Sequence, residues 1–322
     1  MGKYEELDFS GIRTYSVADR RDLVHVEDLT PTDAPVPDWG GEPLDELARR
    51  IIAARREGRP VIWSQGAHVI KNRLSLYLID LVRRGIVTHV AGNGACSIHD
   101  FELAYHGATS EDVPTAIEDG SFGMWEETGR WMNEALQEGT AAGMGYGESL
   151  AAWADRHRDR FPHLDACIFY QCWLRDVPCT YHIALGTDII HQHPSADFGV
   201  IGAASGIDFR VYCASVAKLD GGVFLNFGSS VIGAEVFLKA LSISRNLGYP
   251  TFRITTADFD LRELGDFRCR IGYEDPNYYY RPRKNIVNRP TSRGGWGWHF
   301  TGDHQVTVPN LYRRILAQWE AE

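Results

Sequence analysis

The chain has 322 residues, 44% of them hydrophobic, which is enough for one large core or two smaller ones. Its net charge of −10 and pI near 5.6 argue against unspecific binding to nucleic acid or to an anionic membrane, and are compatible with a cationic small-molecule partner. No apolar run approaches the roughly 20 residues of a membrane span. Scattered cysteines without a C-x-x-C pair, and an N-terminus without an apolar leader, predict a reduced, cytoplasmic protein.

Residues 1–40, punctuated by Pro31, Pro35 and Pro37, read as an N-terminal arm, and 41–322 as a single α/β domain. Leu44, Leu47, Ile51 and Ile52 give residues 43–56 helical spacing, and 60–64 is a short apolar strand. The spacing of Leu74, Leu78, Leu81 and Val82 predicts a helix over 71–84, ended by Gly85. A strand follows over 86–91, then a turn and a helix over 100–105. An acidic, aromatic and mostly helical stretch leads to a glycine loop at 143–147 and a further helix to about Arg160. Strands are predicted at 166–173, 177–182, 197–201, 222–227 and 251–256, with helices at 207–219 and 234–247. This alternation predicts a doubly wound, mostly parallel, Rossmann-like sheet. The segment 266–293, rich in Arg, Tyr, Asn and Pro, reads as an irregular excursion, a lid or an interface element.

Four polar turns are expected at strand carboxyl ends, where such folds place ligands. They are Gly92-Asn93-Gly94-Ala95 with His99 and Asp100, Gly186-Thr187-Asp188, Asn226 to Ser230, and Thr255 to Asp258. The first lacks the G-x-G-x-x-G spacing of a dinucleotide fingerprint, and a plain strand-to-helix turn is its other reading. Gly228-Ser229-Ser230 before a helix suits a phosphate, and Asp188, Asp258 or Asp303 suits ribose hydroxyls. His191 and His193 lack a third ligand, so no metal is expected, and they read instead as polar loop histidines or as one histidine contacting substrate. His182, Asp197 and Glu235 are candidates to surround an amine. Ser205 and Ser229 lack a nucleophile elbow. Trp296 and Trp298 flank Gly297 as either a cation-attracting wall or a packed aromatic turn.

These segments, in this order, resemble the deoxyhypusine synthase family. Val90–Asp100 is similar to that family's strand and Thr-Ala-Gly-Gly turn, and Ala184–Asp188 to its Ala-Leu-Thr-Asp. Phe227–Ile232 is similar to its triple-glycine turn, Ile254–Ala257 to its Ile-Asn-Thr-Ala, and Gly302–Pro309 to its Ala-Asp-Ala-Ser segment. The resemblance implies a homotetramer that uses NAD to oxidise a polyamine such as spermidine to an imine, with aminobutyl transfer to an acceptor protein. It also implies cofactor contacts at Asn93, Gly94, Ala95, Asp188, Gly228, Ser229, Ser230, Thr256, Ala257 and Asp303. His99, His193 and Glu235 are candidate acid/base or ammonium-binding groups, and Trp296 and Trp298 candidate pocket walls. The family's imine-forming Ser-Trp-Gly-Lys becomes Gly295-Trp296-Gly297-Trp298, which leaves Lys71 or Lys284 as substitutes. A second resemblance, carried by His68-Val69-Ile70-Lys71 and by Gly92-Asn93-Gly94-Ala95 with His99-Asp100-Phe101-Glu102, is to the NAD-dependent ornithine cyclodeaminase domain. That chemistry needs no enzyme lysine. The remaining alternative is a non-catalytic NAD-binding module.

Overall fold

The computed structural model describes residues 2–320. In chain order its strands are β1 (Asp22–His25), β2 (Val61–Gln65), β3 (His89–Asn93), β4 (Ala108–Glu111), β5 (Cys179–His182), β6 (Val223–Phe227), β7 (Thr255–Asp260) and β8 (Trp296–Thr301). The α-helices are α1 (Gly41–Arg56), α2 (His68–Lys71), α3 (Ser75–Arg83), α4 (Gly94–Tyr105), α5 (Val113–Asp119), α6 (Glu126–Ala141), α7 (Tyr146–Arg156), α8 (Ile168–Trp173), α9 (Phe198–Val216), α10 (Ile232–Asn246) and α11 (His304–Trp319).

Six strands form one parallel sheet in the order β5-β3-β2-β6-β7-β8. Numbered by position in the chain, this is the 3-2-1-4-5-6 order of a Rossmann fold, and the winding direction reverses between β2 and β6. β1 and β4 make a separate antiparallel pair that ties residues 22–25 of the arm to the body. Helices α1, α3 and α11 cover one face of the sheet, and α9 and α10 the other.

The two sheet faces differ in chemistry along adjacent rows. Phe227, Phe259 and Phe300 stand in register and stack at 4.5 and 4.8 Å, and Trp63 stacks on Phe227 at 3.9 Å. On the opposite face Ser64, Asn226, Asp258 and His299 form a buried polar row across four strands. Such a row survives burial only if its members satisfy one another. Asp258 accepts from Asn226 Nδ2 at 2.7 Å and from His299 Nδ1 at 2.8 Å. His299 Nε2 in turn donates to the Arg262 carbonyl at 2.7 Å.

Several expected elements are corrected. Residues 166–173, taken as a strand, form a short 3-10 turn and α8, because a short apolar run reads alike in a buried helix and a strand. What decides is remote. Asp100, on α4, accepts the amides of Ile168 and Phe169, both at 2.9 Å, and so caps α8. Residues 197–201, also expected as a strand, start α9, whose N-cap Asp197 accepts Val200 N–H at 3.0 Å. Helix α4 begins at Gly94 with no intervening loop, six residues earlier than expected. The strand expected over 251–256 runs instead over 255–260, and β8 was not foreseen. Within the excursion, residues 283–288 form a π-helix.

Candidate functional site

The carboxyl ends of the parallel strands bring together the turns after β2, β3, β5, β6 and β8. At β3, Asn93 Oδ1 accepts Cys96 N–H at 3.2 Å and caps α4. Asp188, from the segment after β5, lies directly over Gly94, where a Cβ would overlap its carboxylate. An acid therefore occupies the positive end of α4. Burial nevertheless pushes the Asp188 carboxyl up to about 6, and its Oδ2 has no hydrogen-bond partner among the described residues.

His191 stands beside it. Its Nδ1 accepts from the amides of Gly186 at 3.1 Å and Asp188 at 3.2 Å, so the ring proton of the neutral form sits on Nε2. That Nε2 is also buried without a hydrogen-bond partner among the described residues, 3.9 Å from Asp188 Oδ2. Burial holds the His191 pKa below the ordinary histidine value. The pair therefore sets a poised acid and a neutral N–H donor 3.9 Å apart.

At the reversal of the sheet, Gly228 takes a left-handed φ of 65°, and a Cβ there would come within 2.7 Å of His304 Nε2 on α11. Ser229 Oγ accepts Gly233 N–H at 2.8 Å in the first turn of α10. Ser230 Oγ donates to Asp260 Oδ2 at 3.2 Å, which also receives Tyr280 OH at 2.6 Å. His304 Nδ1 is buried and unpaired among the described residues. A glycine turn held against a helix start by neighbouring polar side chains fits the close backbone approach that a dinucleotide pyrophosphate needs.

The fold thus gathers Asn93, Gly94, Ala95, Asp188, Gly228, Ser229 and Ser230 along one edge. Asp303 lies on the same edge but is exposed and caps α11 through Gln305 N–H at 2.8 Å. Thr256 and Ala257 lie elsewhere. The expected strand end is really the first half of β7, where both residues are buried and Thr256 Oγ1 donates to the Ile286 carbonyl. Asp258 is likewise interior and spent on its partners in the polar row.

The residues given acid/base or wall roles separate in the same way. His99 Nδ1 donates to Thr109 Oγ1 at 2.7 Å, whose hydroxyl donates to Glu102 at 2.5 Å. This fixes its tautomer, and burial lowers its pKa to about 4. His193 Nε2 meets Glu126 at 3.2 Å and Nδ1 meets Ser195 Oγ at 2.7 Å, which fastens its loop to α6. Glu235 pairs with Lys239 and Arg281 and accepts from Asn285, which lowers its pKa and ties α10 to the π-helix. Trp296 and Trp298 stack at 5.6 Å under Arg50, 4.9 and 5.5 Å from the two rings. They belong to edge strand β8, with β7 and β6 between them and β2. Lys284 lies over the Tyr278 ring in the excursion. His191 is the residue whose part at this edge sequence spacing did not isolate.

No protein-family model matches the chain, and neither does any curated protein. Solved structures do. A LOR/SDH-like protein from Methanococcus maripaludis S2 is 13% identical over 89% of this chain and 71% of its own, with a TM-score of 0.54. ArgZ, an arginine dihydrolase from the ornithine-ammonia cycle in cyanobacteria, is 15% identical over 85% of this chain and 32% of its own, at 0.49. AgrE in complex with ornithine and NAD+ is 12% identical over 87% and 33%, also at 0.49. The chain thus spans about a third of the length of ArgZ and AgrE. At these identities the likeness is one of fold. These are LOR/SDH and arginine-dihydrolase proteins, not deoxyhypusine synthase, so the assignment to that family is corrected, and the transferase activity expected from it goes with it.

Proposed function

We propose that the crevice at the carboxyl ends of β2, β3, β5 and β6 holds NAD and oxidises the amine-bearing carbon of a small amino acid of the ornithine type, in the manner of a cyclodeaminase. The observation that carries this reading is the Asp188–His191 pair. It offers two buried, unpaired polar atoms 3.9 Å apart, beside the glycine turns of a Rossmann-ordered sheet. Gly228, Ser229 and Ser230 would hold the pyrophosphate, with Asp260 or Asp303 towards a ribose. When bound, the nicotinamide supplies a two-electron acceptor.

The chain's own groups supply the proton chemistry. An amine must lose its ammonium proton before its carbon is oxidised, and Asp188, with a pKa near 6, is an effective base at neutral pH. His191 Nε2–H would donate to the same centre and keep the amine or its carboxylate in place. The imine would be closed by the substrate's second amine with loss of ammonia, and return of the hydride to the cyclic imine would give proline and restore NAD, so no enzyme lysine is needed, in keeping with Trp298 where a lysine would otherwise be sought.

AgrE was captured with ornithine and NAD+, which makes ornithine the first substrate to try. Purified protein incubated with NAD and, in turn, ornithine, lysine, arginine and putrescine would be followed by NADH absorbance and by mass spectrometry of all products. Proline and ammonia from ornithine are the expected result. Tight NAD binding with no product from any amine would replace this reading with a binding role, and absence of NAD binding would remove it.

A further inference from the structure

His304 is the first residue of α11, and its ring is buried without the bonds that a buried histidine usually makes. The residue is 7% exposed, and neither ring nitrogen has a hydrogen-bond partner among the described residues. Its Nε2 faces Gly228, within 2.7 Å of where a Cβ on that glycine would stand, and Phe227 meets the ring edge-on at 6.0 Å. The missing glycine side chain thus lets the ring lie directly on the turn that leads into α10. A buried imidazole ordinarily engages at least one nitrogen, because a polar atom left unpaired inside a protein is costly. An unpaired ring on a glycine turn, at the carboxyl ends of the strands, is placed for a group that arrives from outside.

Charge points to the kind of group. Burial holds the His304 pKa below the ordinary 6.5, and His68 on α2 adds to that effect, while Asp260 at the end of β7 and Asp303 before α11 oppose it. The free ring is therefore largely neutral at pH 7. Asp188, Asp260 and Asp303 make this edge acidic, so a pyrophosphate on Gly228, Ser229 and Ser230 would add two negative charges to a place already negative. The amides of the turn offset part of that repulsion. A proton on His304 offsets more, because it turns the unpaired ring into a cation whose Nε2–H can donate to a phosphate oxygen. Such a charge-assisted bond is roughly twice as strong as a neutral one. The phosphates in turn favour the charged ring and raise its pKa.

We infer, on the crevice reading given above, that His304 is a ligand of the dinucleotide's pyrophosphate and that NAD binds together with a proton taken up by this ring. The proton comes from solvent, no bond of NAD breaks, and the bound state holds an imidazolium beside the phosphates. The sign of the pH dependence follows. Affinity is highest below the pKa of the free ring and falls as the pH rises from that value through the pKa of the loaded one.

Calorimetric titration of NAD into the full chain at pH 7, in buffers of low and high ionisation enthalpy, counts the protons exchanged. Uptake of about one proton is expected, and ADP-ribose, which keeps the pyrophosphate and lacks the nicotinamide, should carry the same proton. His304→Gln stays polar but cannot charge, so it should abolish the uptake and weaken NAD about tenfold at pH 6.5, the equivalent of one pKa unit. Asp188→Asn removes the other titrating acid of this edge and should keep the uptake. Should His304→Gln fail to fold, nitrogen NMR of the wild-type chain carries the test: NAD should convert one histidine from the neutral to the doubly protonated form. Four results would overturn the role of His304 and leave the crevice reading standing: NAD bound with no proton or no histidine changing charge, no uptake with ADP-ribose, uptake that survives His304→Gln, or uptake lost in Asp188→Asn. Absence of NAD binding would overturn both.

Discussion

Asp188 puts stability and activity in opposition. Its carboxyl titrates near 6 in the folded chain, above its ordinary value of 3.8. A raised carboxyl binds its proton more tightly when folded, so ionisation works against folding as the pH rises from about 4 to 6, and that cost persists at neutral pH. Asp188→Asn should therefore raise the melting temperature at pH 7, by a gain on the order of 1–3 kcal/mol. The same substitution removes the base, and kcat should fall by about 10²–10⁴-fold. In the wild-type protein kcat/KM should climb through pH 6 and then level. A variant that loses stability, or a rate with no rise in that range, would count against a base at this position. Asp188 was singled out in the sequence because an acid after a strand and a glycine is a common ligand-edge pattern. His191 was read only as a loop histidine or a substrate contact, since its pairing with Asp188 depends on two backbone amides that fix its tautomer, and spacing does not reveal them.

At the level of elements, the capping of α8 shows where sequence reading stops. Periodicity located α1, α3 and α10 closely, because each buries one stripe of side chains and the pattern is local. Residues 168–173 are buried nearly all round, so no stripe exists, and their helical state depends on a carboxylate 68 residues earlier. Asp100→Ala should cost on the order of 2–3 kcal/mol by stranding two buried amides, measured by denaturant unfolding. Asp100→Asn should recover part of that loss. The misplaced β7 has a similar origin. Thr255-Thr256-Ala257-Asp258 has turn-like composition, but its polar side chains are satisfied across the sheet, by partners on β6, β8 and the π-helix. Phe227→Ala, at the centre of the aromatic row, should cost about 3–5 kcal/mol.

Across the whole molecule, the alternation of strands and helices was enough to anticipate a doubly wound, mostly parallel sheet. Strand order was not readable, and neither was the way residues 261–282, which include the first part of the excursion, are fastened. That fastening runs through His299, whose Nε2 donates to the Arg262 carbonyl and whose Nδ1 is bonded to the buried Asp258 carboxyl. Burial opposes a charge on the ring, but the bond to Asp258 and the charges of Asp258 and Asp260 raise its pKa overall. A histidine raised on folding stabilises the structure below its ordinary value and loses that contribution as the pH climbs through the folded one. Arg262 also bonds Asn277 at 2.8 Å and lies over Tyr280, whose hydroxyl meets Asp258 and Asp260. Raising the pH should thus free the excursion before the sheet melts. Tryptic cleavage at Arg268 and Arg270 should accelerate above neutral pH, and His299→Gln should flatten that dependence. Equal cleavage rates from pH 6 to 9 would contradict it.

Trp63 carries a consequence of another kind. Its ring is stacked on Phe227, and its indole N–H is bonded at 2.9 Å to Gln65, the last residue of β2 at the crevice. A fluorophore so rigidly seated, and shielded from water, emits as a blue-shifted donor. The reduced nicotinamide absorbs where such a donor emits. Loading the crevice with NADH should therefore quench indole emission and sensitise the nicotinamide's own, and Trp63→Phe should diminish both changes. The protein would then carry its own optical gauge of occupancy, readable without a label and without turnover.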